Sequence, residues 1–191
     1  MSGKPTGAGK SSFDIVETDL LFDALALSSD TRFADLACGF GDYALKAAET
    51  IGPCGIIYAV DLWSEGIAEL EKAAEARGIS GISCIVADLS TRIPLEDNSI
   101  DTALISVALH DIRADGKDEA ALLEISRIIK KEGLLAVVEF KKVDARPGPP
   151  VAIRISPEEL DSILSPFGFM PLRTIDVGPH TYLSLYRNDK A

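Results

Sequence analysis

Phe33-Ala34-Asp35-Leu36-Ala37-Cys38-Gly39-Phe40-Gly41-Asp42-Tyr43-Ala44 decides how the rest of the chain is read. An apolar burst runs into G-x-G-x-x-A and then into a helical pattern, which predicts a strand, a glycine turn and a helix. Glycines permit the tight turn and let a ligand approach the backbone closely. Asp61 stands about twenty residues further on, where the next apolar burst ends, and an acid there can accept hydrogen bonds from ribose hydroxyls. A glycine turn followed by a merely capping acid is the plain alternative, and the strand-turn-helix context outweighs it.

Outward from that stretch, apolar bursts alternate with helical patterns, the mark of a doubly wound α/β domain. The expected strands are 32–36, 56–60, 82–86, 100–107 and 134–140. None of the five shows polar alternation, as suits strands buried on both faces. Helices are expected over 13–27, 43–50, from Ser64 as cap to just before Gly78, and over 117–130, with a stop at Gly133. The three prolines and one glycine within 145–150 make a loop. Ser156-Pro157-Glu158-Glu159 reads as a capping box with Pro at the first helical position, opening a helix to about Leu164. Segments 172–177 and 182–187 flank Gly178-Pro179-His180-Thr181, and strands joined so closely must be antiparallel. The domain thus ends in a hairpin rather than another βαβ unit.

Composition narrows the function classes. The chain has 191 residues, enough for one domain with one sizeable core. Residues 1–10 read as a mobile tail and 11–191 as the domain. No apolar run reaches the roughly 20 residues of a membrane span, and 1–10 lacks the apolar stretch of a secretory signal, so the cytoplasm is the expected location. A net charge of −11 opposes a nucleic-acid partner. Arg127, Lys130 and Lys131, the densest basic group, fit a solvated helix end. Cys38, Cys54 and Cys84 have no metal-like spacing and read as free thiols, Cys38 and Cys84 as small buried side chains. No metal is expected. A homodimer is the default for a small enzyme, without support from any particular residue.

The glycine motif with Asp61 fits NAD or S-adenosylmethionine. Three features favour the second. Asp35 stands before the glycines, where a carboxylate suits an ammonium group and sits badly beside a pyrophosphate. Ala87-Asp88-Leu89 follows the third strand, where a carboxylate can take an adenine amino group. The terminal hairpin does not belong to the usual dinucleotide fold.

On these residues the chain, from about Ser11 onward, resembles class I S-adenosylmethionine-dependent methyltransferases, and among them the branch that includes ubiquinone/menaquinone-biosynthesis methyltransferases. Asp35 to Gly41 stands where that family has D-x-x-C-G-x-G. Asp61 matches its ribose acid and Asp88 its adenine-side acid. Ser106-Val107-Ala108-Leu109-His110-Asp111 matches the segment lining the methyl-transfer side. Lys130-Lys131-Glu132-Gly133 departs from the family's L-R/K-P-G-G by lacking the Pro and the second Gly. The resemblance implies a Rossmann-like doubly wound seven-stranded sheet, mostly parallel, with the last strand antiparallel beside the fifth. It implies S-adenosylmethionine held by Asp35, Ala37, Gly39, Gly41, Asp61, Leu62, Asp88, Leu89 and Ser106, with the cleft near the switch between the first and fourth strands. It also implies in-line methyl transfer to a small-molecule acceptor, which the motifs do not name.

The acceptor side is expected at His110 and Asp111. His110 is the best candidate base, although a histidine that only holds its loop by a hydrogen bond fits as well, and Asp111 fits a turn cap equally. Glu139, ending a buried strand, is expected to face the cleft mouth; His180, in a tight turn, is expected to be solvent-exposed. Tyr43 either packs on the cofactor or starts the helix core. Gly3-Lys4-Pro5-Thr6-Gly7-Ala8-Gly9-Lys10-Ser11 imitates a phosphate-binding loop but has Lys4 where G-x-x-x-x-G-K-S needs Gly, and no strand precedes it. Two other function classes remain open: a non-catalytic S-adenosylmethionine-binding module, kept by the lack of an obvious base, and a nicotinamide-dependent oxidoreductase, which Asp35 and Asp88 disfavour.

Overall fold

Seven strands form one sheet in the order β3-β2-β1-β4-β5-β7-β6 in the computed structural model, which describes Gly9 and residues 11–190. The expected tail, apart from Gly9, lies outside the described residues, as does most of the loop that imitates a phosphate-binding motif. The strands are β1 (Arg32–Leu36), β2 (Ile56–Asp61), β3 (Ile82–Val86), β4 (Ile100–Ser106), β5 (Ile129–Phe140), β6 (Phe169–Asp176) and β7 (Thr181–Asn188). The first five run parallel, and β7 lies antiparallel between β5 and β6. The expected mostly parallel sheet and terminal hairpin are therefore both present.

Alternation along the strands supplies two apolar faces. Phe33, Ala59, Leu104 and Val138 meet α1 (Thr18–Leu25), α2 (Asp42–Ile51) and α3 (Ser64–Ala76) on one side. Ala34, Val60, Ile105 and Val137 meet α4 (Leu109–Ala114), α5 (Asp118–Ile128) and α6 (Pro157–Leu164) on the other. Burial of both faces is the main driving force, at about 25 cal/mol per Å² of apolar surface. β1 is the central strand, paired to β2 on one side and β4 on the other. The chain winds outward from β1 to β3, then returns across it to β4. That reversal opens a crevice at the C-terminal ends of β1 and β4.

Several expectations are corrected by longer-range contacts. The single helix over 13–27 is a 3-10 turn, Phe13–Ile15, followed by α1. The break falls at Val16, which is extended (φ −108°, ψ 133°), because the next amide, Glu17, donates to the Val177 carbonyl at 2.6 Å. The helix over 117–130 stops at Ile128, and β5 starts at once instead of at Leu134. Gly133 lets this early start pass close to β4: a Cβ there would lie 3.0 Å from the Asp101 carbonyl. β3 is an edge strand and is not buried on both faces; Val86 is 54% exposed. Ser64 opens α3 without capping it, since Trp63 holds the cap position. The Ser156 capping box is present in full, with Glu159 returning the bond. Short α4 was not anticipated.

Candidate functional site

The loops that follow β1, β2, β3 and β4 build one pocket along the crevice. Asp35, Ala37, Gly39, Asp61, Leu62, Asp88, Leu89, Ser106 and Asp111, all singled out in the sequence, line it together. Gly41 and His110 do not.

The glycine turn is fixed first. After β1 the chain turns through Ala37 (φ 56°), Gly39 (φ 58°) and Gly41 (φ 73°), held by Cys38 N donating to the Val60 carbonyl and Gly41 N to the Cys38 carbonyl. The two glycines serve different ends. A Cβ on Gly39 would meet nothing within 4 Å, so that backbone faces the open pocket and can be approached by a ligand. A Cβ on Gly41 would fall 2.4 Å from the Leu70 side chain of α3, so Gly41 permits helix packing instead of touching the pocket.

Three carboxylates then follow in strand order. Asp88, after β3, accepts from Ser90 N (2.9 Å) and Ser90 Oγ (2.6 Å) on Oδ1 and from Lys117 Nζ (2.9 Å) on Oδ2. Burial pulls its acid constant upward, but the Ser90 and Lys117 hydrogen bonds outweigh burial and hold it below the usual range. Asp61, at the end of β2, accepts from Gly39 N on Oδ2 and Trp63 N on Oδ1, both at 2.7 Å. Each of its oxygens keeps a second lone pair for a ligand hydroxyl. Asp35, near the end of β1, is 1% exposed and accepts from Ala44 N at 3.0 Å. Burial pushes it up to about 8, against the Ala44 hydrogen bond, and the neighbouring Asp61 and Asp42 charges push the same way. A buried carboxylate so reluctant to ionise suits a cationic ligand group, which would restore the charge. Burial likewise pushes the Cys38 thiol far up, which favours its protonated form.

Adjacent strands lie about 4.8 Å apart, so the step from β3 across β2 and β1 to β4 spans roughly 14 Å. An extended adenosyl amino acid has that length. The donor set and the open face of Gly39 fit S-adenosylmethionine.

The acceptor-side expectations are redistributed. Asp111 lines the pocket, one-quarter exposed. His110 is 4% exposed and lines a neighbouring groove with Arg113, Lys142 and Arg154. Its Nδ1 lies 2.7 Å from Glu139 Oε2, and its backbone N donates to Glu139 Oε1 at 3.0 Å. Burial lowers the imidazole's basicity, but the Glu139 hydrogen bond and charge outweigh burial and raise it. Glu139 is fully buried and faces His110, not the cleft mouth. The geometry is that of a histidine holding its loop to β5. His180 is half-buried in the β6–β7 turn and does not line the pocket; its carbonyl accepts from Lys141 N.

Sequence reasoning missed Ser12 and Lys117. Ser12 reaches Tyr43 Oη (2.9 Å) and Ser106 Oγ (2.8 Å) over the pocket, a contact spanning 94 residues that no local pattern signals. In the sequence Lys117 marks only the start of the helix expected over 117–130, and only the folded chain brings it to Asp88. Among the described residues no group of three His, Cys, Asp or Glu could hold a metal ion, and no helix is long and apolar enough to cross a membrane.

The family model described as a methyltransferase domain matches residues 34–137. The 2-phytyl-1,4-naphtoquinone methyltransferase of Trichormus variabilis is 30% identical over 112 residues, covering 56% of this chain and 46% of that protein. The ubiquinone/menaquinone biosynthesis C-methyltransferase UbiE of Ectopseudomonas mendocina is 29% identical over 157 residues, 80% of this chain and 56% of that protein. The chain thus spans about half the length of the curated relatives it matches. A crystal structure of a SAM-dependent methyltransferase from Aquifex aeolicus superposes with a TM-score of 0.83 at 22% identity, over 93% of each chain, and shares the fold.

Proposed function

The chain belongs to the methyltransferase-domain family, and on that premise we propose that it is an S-adenosylmethionine-dependent methyltransferase acting on a small-molecule acceptor. One observation carries the reading: Asp88, Asp61 and Asp35 stand in strand order along a single pocket whose floor includes the open backbone of Gly39. The bound cofactor would supply an electrophilic methyl group and a neutral thioether leaving group.

The chain's own residues do the rest. Asp88 and Leu89 hold the adenine end, and Asp61 with Leu62 holds the ribose. Asp35, Ala37, Gly39 and Ser106 hold the remaining end, with Gly41 shaping the turn from behind. The protein contributes position and exclusion of water more than acid–base chemistry. Where the acceptor must lose a proton, Asp111 receives it, because Asp111 lines the pocket. His110 acts through position, tying the segment after β4 to Glu139 on β5. A net charge of −11 supports a small molecule over nucleic acid as acceptor. The three free cysteines, Cys38, Cys54 and Cys84, suit the reducing cytoplasm as the place of action.

The test is turnover. Purified protein is incubated with S-adenosylmethionine and a small-molecule extract, and S-adenosylhomocysteine is quantified. Protein-dependent product is expected. Cofactor binding without product from any extract would instead support the non-catalytic binding module.

A further inference from the structure

The pocket is lined by Asp35, Asp42, Asp61, Asp88, Asp111 and Asp115, and among its described lining residues Lys117 is the one lysine or arginine. Lys117 is committed to the adenine end, where its Nζ lies 2.9 Å from Asp88 Oδ2. The carboxylates toward β1 and β4 are met differently. Asp35 and Asp61 accept from backbone N–H groups, and Asp42 accepts from Ser11 Oγ at 2.6 Å. Those donors are neutral, so they satisfy oxygens without cancelling charge. His110 Nε2 lies 3.6 Å from Asp111 Oδ1, but Glu139, at 2.7 Å from Nδ1, already matches the charge of an imidazolium there. Even with Asp35 kept neutral by burial, Asp42, Asp61, Asp111 and Asp115 leave the pocket negative.

The pocket's own groups feel that field. Burial is the main reason why Asp35, Cys38 and Tyr43 resist ionising, and aspartate charges add to it at all three: Asp61 and Asp42 at Asp35, Asp35 and Asp61 at Cys38, Asp35 and Asp42 at Tyr43. Apolar walls at Leu62, Leu89 and Ile112 keep the field from being fully screened. The two adenosyl ligands of a methyl transfer differ in charge at one atom. Both carry the adenosine, the ammonium and the carboxylate. Sulfur is a sulfonium cation before transfer and a neutral thioether after it, because the acceptor's electron pair forms the new bond to the methyl carbon and the old C–S pair stays on sulfur. With the ribose at Asp61, as proposed above, the sulfur lies one carbon beyond the ribose ring, on the side away from Lys117.

We propose that the uncompensated carboxylates make this pocket charge-selective, so that it holds the sulfonium cofactor more tightly than the neutral thioether product, with Asp42 as a specificity-determining residue. Loss of the sulfonium charge then loosens the product and frees the site for the next cofactor. The proposal rests on the cofactor reading above and adds to it the direction in which the site discriminates cofactor from product. A unit charge about 7 Å away in a water-like dielectric shifts affinity about threefold, and several such charges, partly screened by salt, shift it about tenfold.

Calorimetric titration with S-adenosylmethionine, S-adenosylhomocysteine and sinefungin, at low and high salt, tests it. Sinefungin has an amine-bearing carbon in place of the methylsulfonium, so it shares the cation without the sulfur. At about 0.02 M salt the parent should bind the two cationic ligands about tenfold more tightly than S-adenosylhomocysteine, and at about 0.5 M the gap should shrink to about twofold. Asp42→Asn keeps an acceptor for Ser11 Oγ and removes the charge; it should narrow the low-salt gap about twofold. Glu75→Gln, at an exposed position near the far end of α3, is the control and should leave the gap unchanged. Product bound as tightly as cofactor, a gap insensitive to salt, or sinefungin grouping with the product would each overturn the proposal. So would an unchanged gap in folded Asp42→Asn; if that variant does not fold, the salt series and sinefungin on the parent decide. A parent that binds none of the three ligands would sink the cofactor reading, whereas one that binds all three alike would overturn the charge selectivity alone.

Discussion

Replacing Asp35 with Asn probes the most strained group in the site. The side chain keeps its shape, and an amide oxygen can still accept from Ala44 N, so the change removes charge without removing the contact. Burial pushes the Asp35 carboxyl from 3.8 up to about 8. A carboxylate raised in the folded state binds more protons there than in the unfolded chain across that window. Its contribution is therefore largest near pH 4 and is lost as pH rises toward 8, at about 1.4 kcal/mol per pH unit. Between pH 5 and pH 7 the Asn variant should gain on the parent by about 2–3 kcal/mol. For a chain of this size that is roughly 5–10 °C in the difference between the two melting temperatures. Thermal unfolding of both proteins over that range is the assay, and taking their difference cancels His110 and every other shared titration. Cofactor binding gives the converse signature. A cation beside Asp35 favours the ionised form, so parent affinity for S-adenosylmethionine should rise with pH up to about 8 by at most tenfold per pH unit, while the Asn variant binds weakly and without that slope. Parallel melting curves and a pH-independent parent affinity would refute the assignment of Asp35 as a buried, cation-matching carboxyl.

Asp61→Ala should weaken S-adenosylmethionine by about 1.5–3 kcal/mol through lost charge-assisted hydrogen bonds; unchanged affinity by calorimetry would remove Asp61 from the ribose subsite. Gly39→Val places a branched side chain in the pocket at φ 58°. It should abolish cofactor binding and cost about 1–2 kcal/mol of stability, and a folded Val variant that titrates normally would contradict the close approach. Glu139→Gln removes the partner that raises His110. A raised histidine stabilises the fold below its unfolded value near 6.5 and loses that contribution as pH climbs through the folded one, so the variant should lose more melting temperature at about pH 5.5 than at about pH 8.5. Equal losses at both would mean that the pair is not charge-assisted.

Local pattern revealed what local forces determine. β1 and β3 are bounded where their apolar bursts begin and end, and Ser156 caps α6 through a bond three residues away. Asp61 and Asp88 stood out because strand ends place them, and strand ends are visible in sequence. The break at Val16 was hidden, because it is made by the Val177 carbonyl, far along the chain. The early start of β5 was hidden for the same reason: Gly133 reads as a helix stop until β4 lies beside it. Gly41 matched the motif, yet its absent Cβ serves Leu70 and not the pocket. His110 follows β4 as expected, but only the pairing of β4 with β5 shows that Glu139 captures its ring. Ser12, carried to Ser106 by tertiary packing, had no signature to read.

Titration calorimetry of the purified chain with S-adenosylmethionine, S-adenosylhomocysteine and NADH addresses the central claim most directly. The arrangement of Asp88, Asp61, Asp35 and the open face of Gly39 predicts saturable binding of the first two, in about the micromolar range, and no binding of NADH. A folded protein that ignores both adenosyl ligands, or prefers NADH, would contradict the account.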